Sequence, residues 1–141
     1  MALKSGRNSE LSGQDIVALF SQEPTTVRLE GGQVLFKNDD PGRSMFFVRS
    51  GTLRVRSGSV IYEDVGAGGM VGEMGIVETN MPRSAMVYAL TSAELVEIDQ
   101  PRFLALVEET PGFALAVMRV LSRRLRRMDD RYEDRMSDDI H

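Results

Sequence analysis

The chain has 141 residues, with 17 lysines and arginines against 21 aspartates and glutamates, one histidine and neither cysteine nor tryptophan. A single core at this length removes roughly 68–70% of the unfolded surface from water, so one domain is expected that needs neither disulfide nor structural metal. Thiolate catalysis and thiolate zinc sites are excluded, and with the sole imidazole at the terminal His141, hydrolase triads and histidine-centred metal sites lose their central group.

The first residues, Met1-Ala2-Leu3-Lys4-Ser5-Gly6-Arg7, lack the apolar stretch of a signal peptide. No later run approaches about 18 uncharged apolar residues. A soluble, cytoplasmic protein is expected, with no membrane partner. The formal charge of −4 argues against general affinity for nucleic acid. In chain order, residues 1–25 form an N-terminal segment holding a short helix over 11–20, with Ser12 as N-cap and Ile16, Leu19 and Phe20 on one face. Pro24 marks its exit.

From Thr26 to Asp99 short runs rich in β-branched and aromatic residues are separated by Gly31-Gly32, Asn38-Asp39-Asp40-Pro41-Gly42, Ser50-Gly51, Ser57-Gly58 and Gly66-Ala67-Gly68-Gly69. Strands are expected over 26–30, 33–37, 44–50, 59–65, 83–90 and 93–98. The cleanest alternation is Leu53-Arg54-Val55-Arg56, with aliphatics on one face and arginines on the other. Turns at this spacing indicate an antiparallel sandwich or jelly roll rather than a parallel α/β sheet.

Helical periodicity returns over 101–136, ahead of a tail at 137–141. Pro101 suits the first turn of a helix through Glu108, and Pro111-Gly112 separates it from a long final helix. There Ala114, Met118, Leu121, Leu125, Met128 and Tyr132 are spaced 4, 3, 4, 3 and 4 residues apart, a heptad seam. The seam packs either on the barrel or on a second subunit. A second stripe, Phe113, Val117 and Val120, is available for the barrel, which makes a homodimer through the long helix the expected partnership. The seven arginines from Arg119 to Arg135 interleave with acidic residues and read as a solvated, self-compensated face rather than a nucleic-acid contact.

The segment Val71-Gly72-Glu73-Met74-Gly75-Ile76-Val77, followed by Pro82-Arg83-Ser84-Ala85, carries the chemistry. It proposes a glycine-flanked turn into one helical turn, then a strand opening with an arginine and a hydroxyl. Exposed N–H groups at such a turn favour an anion, glycine admits close approach of a ligand, and arginine supplies a fork for phosphate oxygens. Glu73 is a poor neighbour for phosphate, so it suits a sugar hydroxyl that donates to a carboxylate. Phosphate beside a sugar hydroxyl describes a nucleotide, and one arginine with a nearby carboxylate best suits a monoanionic phosphate. The alternative is that Arg83 and Glu73 pair with each other on the surface and that Gly72 and Gly75 are ordinary turn glycines.

These residues resemble the phosphate-binding cassette of the cyclic nucleotide-binding domain family. The resemblance extends to Glu30-Gly31-Gly32-Gln33-Val34-Leu35-Phe36 and to Gly42-Arg43-Ser44-Met45-Phe46-Phe47-Val48-Arg49-Ser50-Gly51-Thr52-Leu53-Arg54-Val55, covering about residues 26–128. It implies a mainly β fold, an antiparallel eight-stranded, jelly-roll-like β-roll over 26–99, with the cassette at 71–85, a short N-terminal helix and two C-terminal helices. It also implies that Arg83 pairs with a cyclic phosphate and that Glu73 accepts from the ribose 2′-hydroxyl. Gly72, Met74 and Gly75 contribute backbone donors or close approach, and Ser84, followed by Ala85, bonds phosphate or base.

In catabolite activator protein, a member of that family, a Thr-Ser pair on the long helix reaches adenine. The equivalent positions here are Met128 and Asp129, without hydroxyls. Met128 can pack flat on a purine and Asp129 can accept from guanine, or Asp129 faces solvent in the charged helix. Tyr62 covers the base or fills the barrel. The ligand is therefore cAMP or cGMP, with no catalytic residue, no metal and no cofactor. The family's transcription factors continue into a helix-turn-helix domain that is not found here, so no DNA contact is expected. A free-standing sensor that signals to a downstream protein by moving its C-terminal helices is the leading expectation. An interaction or dimerisation module that has lost ligand binding is the alternative. A metal-dependent enzyme on a jelly roll is disfavoured by the lack of histidines, and a truncated transcription factor completes the set.

Overall fold

The computed structural model describes residues 23–140, and of residues 128, 129 and 131–140 it describes the helical backbone only. The helix expected over 11–20 lies outside the described residues. Within them the strands are β1 Val27–Leu29, β2 Val34–Phe36, β3 Ser44–Ser50, β4 Leu53–Ser57, β5 Val60–Val65, β6 Met70–Val71, β7 Met86–Ala89 and β8 Ala93–Asp99. The helices are α1 Met74–Val77, α2 Gln100–Glu109 and α3 Gly112–Ile140. Two four-stranded sheets, ordered β1-β8-β3-β6 and β2-β7-β4-β5, are antiparallel throughout. This is the helix-flanked β-roll that the turn spacing and the family resemblance indicated.

The period-2 geometry of strands explains how the first sheet serves two cores at once. In β3, Phe46 and Val48 point between the sheets, where they meet Leu53, Val65, Val71, Val87 and Leu95. Met45 and Phe47 point the other way, onto Met70, Ile76, Val96, Ile98, Leu106, Phe113 and Val117. With both faces covered, β3 reads as a continuous apolar run. The second sheet is covered on one side only. In β4, Leu53 and Val55 face the core while Arg54 faces outward and holds Asp64 of β5 through a two-pronged pair at 2.8 and 3.0 Å.

One strand appears where none was expected, and one starts later than expected. β6, only two residues long, pairs with Phe47 and Phe46 and is too short to show any period. The strand expected over 83–90 begins instead at Met86, because the backbone of Arg83 is committed to the 39–40 loop: its N–H donates to the Asp40 carbonyl, and its carbonyl accepts from Asp39 N–H, both at 2.8 Å.

Asp99 caps α2, accepting from Arg102 N–H at 2.9 Å, and Pro101 occupies the first turn, where its missing N–H costs nothing. After the break at Thr110, α3 runs without interruption to Ile140, so residues 137–140 are helical rather than a tail. The stripe Phe113, Ala116, Val117 and Val120 docks α3 on the first sheet. Leu121, assigned by periodicity to the seam, also packs on this core, while Met118 and Leu125 remain exposed. Met128 and Tyr132 have side chains outside the described residues. No helix among the described residues is long and apolar enough to cross a membrane.

Phe113 is fully buried, with its ring centroid 5.3 Å from that of Phe103. Phe113→Ala is expected to cost about 3–5 kcal/mol of stability, read as a lowered urea midpoint, with α3 losing its seat on the roll.

Candidate functional site

The turn that builds the site starts where β6 ends. Gly72 adopts a φ of +76°, which an L side chain disfavours, and this reverses the chain into α1. Glu73 takes helical angles at the N-terminal boundary, Gly75 N–H closes the turn onto the Gly72 carbonyl at 2.9 Å, and buried Ile76 roots the short helix in the core. Gln100 Nε2 donates to the Ile76 carbonyl at 2.9 Å, tying the cassette to α2.

Arg83 folds beneath this turn. It is only 9% exposed, donating from one terminal nitrogen to the Gly72 carbonyl at 3.1 Å and from the other to the Ser44 carbonyl at 2.8 Å. Its guanidinium carbon lies 4.2 Å from the Phe36 ring centroid and 5.9 Å from that of Phe46, within cation–π range. Nε is buried with no hydrogen-bond acceptor among the described residues. Burial lowers the pKa of this group, opposed by the fields of Glu97, Glu73 and Asp40. No carboxylate pairs with it among the described residues. A buried cation normally has a counter-ion, so this one is electrostatically incomplete.

Space around the guanidinium is controlled by glycines. A methyl group at Gly42 would come within 1.9 Å of Arg83 Nε, and one at Gly72 or Gly75 within 2.9 Å of a terminal nitrogen. Gly75 packs closely against the guanidinium, and its N–H is bonded within the turn.

Glu73 is 5% exposed and is not paired with Arg83. Both its carboxylate oxygens are bound by Arg124 of α3, which also donates from Nε to Glu63 of β5 at 2.8 Å and from its other terminal nitrogen to the Met70 carbonyl at 2.5 Å. Burial opposes the charge on Arg124, but Glu73 and Glu63 outweigh it and hold its pKa above the ordinary arginine value. Arg127, one helical turn on, reaches Glu63 at 3.4 Å. The surface pairing of Arg83 with Glu73 is therefore replaced by two separate, buried arrangements.

These groups line one cavity of about 520 Å³, within the ~300–1,000 Å³ range of small-molecule sites. Gly72, Glu73, Met74, Gly75, Arg83, Ser84, Ala85 and Tyr62 all contribute to its wall. Met128 and Asp129 have side chains outside the described residues. From α3 the wall receives Leu121, Arg124, Leu125 and Arg127, and from β5 Glu63. Arg124 and Glu63 carry no motif, and Arg124 lies in the arginine-rich stretch expected to be a solvated face. Its spacing held a signal: it lies three residues after Leu121 and seven after Val117, on the stripe that packs inward.

The cyclic nucleotide-binding domain profile matches residues 26–110, and the chain belongs to that family. Among curated relatives, lysophospholipase NTE1 of Mycosarcoma maydis is 30% identical over 103 residues, covering 70% of this chain and 5% of its own. The chain thus spans a small fraction of that enzyme. Among solved structures, the catabolite activator protein of Thermus thermophilus matches with a TM-score of 0.70 at 26% identity, over 89% of this chain and 59% of that one. A protein of a cyclic-GMP-dependent signalling pathway regulating bacterial phytopathogenesis shares the fold, with a TM-score of 0.67 at 24% identity, over 83% of this chain and 96% of that one.

The glycine cradle is testable without touching any polar group. Gly42→Ala is expected to lower stability by about 1–3 kcal/mol and to shift the Arg83 Nε–H resonance in NMR spectra. Gly66→Ala, where an added methyl meets nothing within 4 Å, leaves both unchanged.

Proposed function

We propose that this domain is a non-enzymatic regulatory module that binds a cyclic mononucleotide, cAMP or cGMP, in the 520 Å³ cavity and signals by moving α2 and α3 against the roll. The observation that carries the reading is Arg83, a buried positive charge on the cavity wall that, among the described residues, has no carboxylate partner and no acceptor for Nε. One anionic oxygen pair brought against it would supply the missing counter-charge. A cyclic phosphate, with a single negative charge, does so without crowding Glu73 as a dianion would.

In this reading Ser84 supplies a hydroxyl to the phosphate or base, Gly72, Met74 and Gly75 supply backbone donors or close approach, and Glu73 accepts from the ribose 2′-hydroxyl. Tyr62 and the apolar wall of α3 face the base. The base-end roles of Met128 and Asp129 belong to the same proposal. Binding couples to the helices because Gln100 and Arg124 connect α2 and α3 directly to the cassette. A ligand that prefers one helix arrangement shifts the population toward it.

Isothermal titration with cAMP, cGMP and 5′-AMP tests the site. Micromolar binding of one cyclic nucleotide, weakened at least roughly 30-fold by Arg83→Ala as expected for loss of a charge-assisted pair, supports the reading. Failure of either cyclic nucleotide to bind the folded protein sinks it and favours a module acting through protein contacts alone. Affinity unaltered by Arg83→Ala sinks the assigned phosphate position.

The same reading includes a second copy of the chain as partner and a further protein downstream. Leu115, Met118 and Leu125 lie on α3 at spacings of 3 and 7 residues and are 41%, 55% and 63% exposed. Paired with a second α3 they would form a coiled-coil seam. Sedimentation is expected to report a dimer, and Leu115→Lys with Met118→Lys a folded monomer.

A further inference from the structure

We infer that Glu63, with Arg127 beside it, reads the edge of the base and makes the site selective for guanine, so that the ligand is cGMP rather than cAMP. The inference rests on the cyclic nucleotide reading and adds the identity of the base to it.

Glu63 enters the cavity wall from β5, with its side chain 16% exposed. A carboxylate has two oxygens and about four acceptor positions. Among the described residues two of these are engaged: Oε1 accepts from Arg124 Nε at 2.8 Å, and Oε2 lies 3.4 Å from Arg127. A ligand that fills the cavity covers the others, and a mostly buried acceptor left without a donor is costly. The ligand must therefore bring hydrogen-bond donors to this point. The location says which part of the ligand does so. Arg124 bonds Glu73 and Glu63 at once, so the two carboxylates stand one guanidinium apart. With Glu73 on the ribose 2′-hydroxyl, the next group reached is the base, which leaves the sugar from the carbon adjoining the one that bears that hydroxyl.

The chemistry of the pair discriminates among bases. Glu63 offers acceptors, and Arg127, also on the wall and 47% exposed, offers guanidinium donors beside them. Guanine carries two adjacent donors, N1–H and the N2 amino group, next to the O6 acceptor, and so complements carboxylate and guanidinium together. Adenine presents one amino donor next to the N1 lone pair, which would face a carboxylate oxygen of like polarity. Uracil offers one N–H between two carbonyls, and cytosine one amino group beside a lone pair. Of these bases guanine alone brings two neighbouring donors to Glu63 while giving Arg127 an acceptor. No ion pair has to break for this contact to form: Arg124 keeps both carboxylates, and Arg127 stays beside the one it neutralises. Val55, Val87, Leu121 and Leu125 supply apolar wall for the faces of the ring.

The test uses the full chain and compares by isothermal titration cGMP, cAMP and cyclic IMP, which keeps N1–H and O6 but lacks the N2 amino group. The wild type is expected to bind cGMP roughly 30-fold more tightly than cAMP and roughly fivefold more tightly than cyclic IMP. Glu63→Gln, whose amide carries a donor as well as an acceptor, is expected to abolish the preference for cGMP over cAMP. Arg127→Met is expected to reduce that preference roughly fivefold. A wild type that binds cAMP or cyclic IMP as tightly as cGMP overturns the inference and leaves the sensor reading standing. A preference that survives Glu63→Gln, with affinities for all three ligands unchanged or lowered alike, makes Glu63 a structural partner of Arg124 only and also overturns it. If Glu63→Gln does not fold, Arg127→Met decides, and an unchanged ratio of cGMP to cAMP affinity overturns the inference. Failure of every cyclic nucleotide to bind the folded wild type removes the sensor reading and the guanine assignment together.

Discussion

A guanidinium held below the surface by backbone carbonyls and aromatic rings, with no carboxylate bonded to it among the described residues, sets the terms for much of this structure. Arg83 is kept charged by two backbone carbonyls, from Ser44 and Gly72, and by the faces of Phe36 and Phe46. Each of those contacts belongs to a different part of the chain. The side chain can lie there only because Gly42, Gly72 and Gly75 present no Cβ toward it. The backbone of Arg83 is fixed as firmly as its side chain, paired through both N–H and carbonyl with the 39–40 loop. The glycines, the aromatic pair and the delayed start of β7 thus follow from one demand, that a buried cation be solvated by protein.

The second buried arginine answers an opposite demand. Glu63 and Glu73 arrive on the cavity wall from the roll, and Arg124 arrives from α3 to meet them. Apolar burial through Phe113, Ala116 and Val117 holds the first half of α3 on the sheet. Beyond Leu121 the helix is mostly polar, and its attachment passes from packing to charge. Packing of this kind is non-directional, whereas an arginine between two carboxylates is held by directed hydrogen bonds. The charged contact lies on the cavity wall and the apolar one away from it. Gln100 makes a parallel tie from α2 to the cassette. Both C-terminal helices are therefore bonded to the same short cassette segment, at Glu73 and Ile76.

Much of the fold was legible because its sequence pattern is local. Leu53-Arg54-Val55-Arg56 alternates because one face of the second sheet is wet, and Pro101 with Asp99 announces α2 in the way helix starts usually do. The cassette could be read as a turn, a helical turn and an arginine because its glycines sit where φ and close approach require them. What local pattern does not announce depends on distant partners. β6 is two residues long and exists only by pairing with Phe46 and Phe47. Arg83 stays out of β7 because a loop more than forty positions earlier claims its backbone. Arg124 looked like one arginine among seven on a charged helix, and nothing local distinguishes it from Arg123 or Arg126 except its alignment with Val117 and Leu121.

The sequence by itself determined the class of fold, the family and the identities of the groups at the cassette, since all three are carried by short-range spacing of glycines, β-branched residues and one Glu and Arg. Only the tertiary structure decided which charges meet. It separated Glu73 from Arg83, gave the first to Arg124 and the second to backbone carbonyls and aromatic faces, and brought Glu63 into the same cavity. The physical reason is that a salt bridge between side chains 51 or 61 residues apart has no local pattern to announce it, only the packing of α3 across the roll that brings the partners within reach.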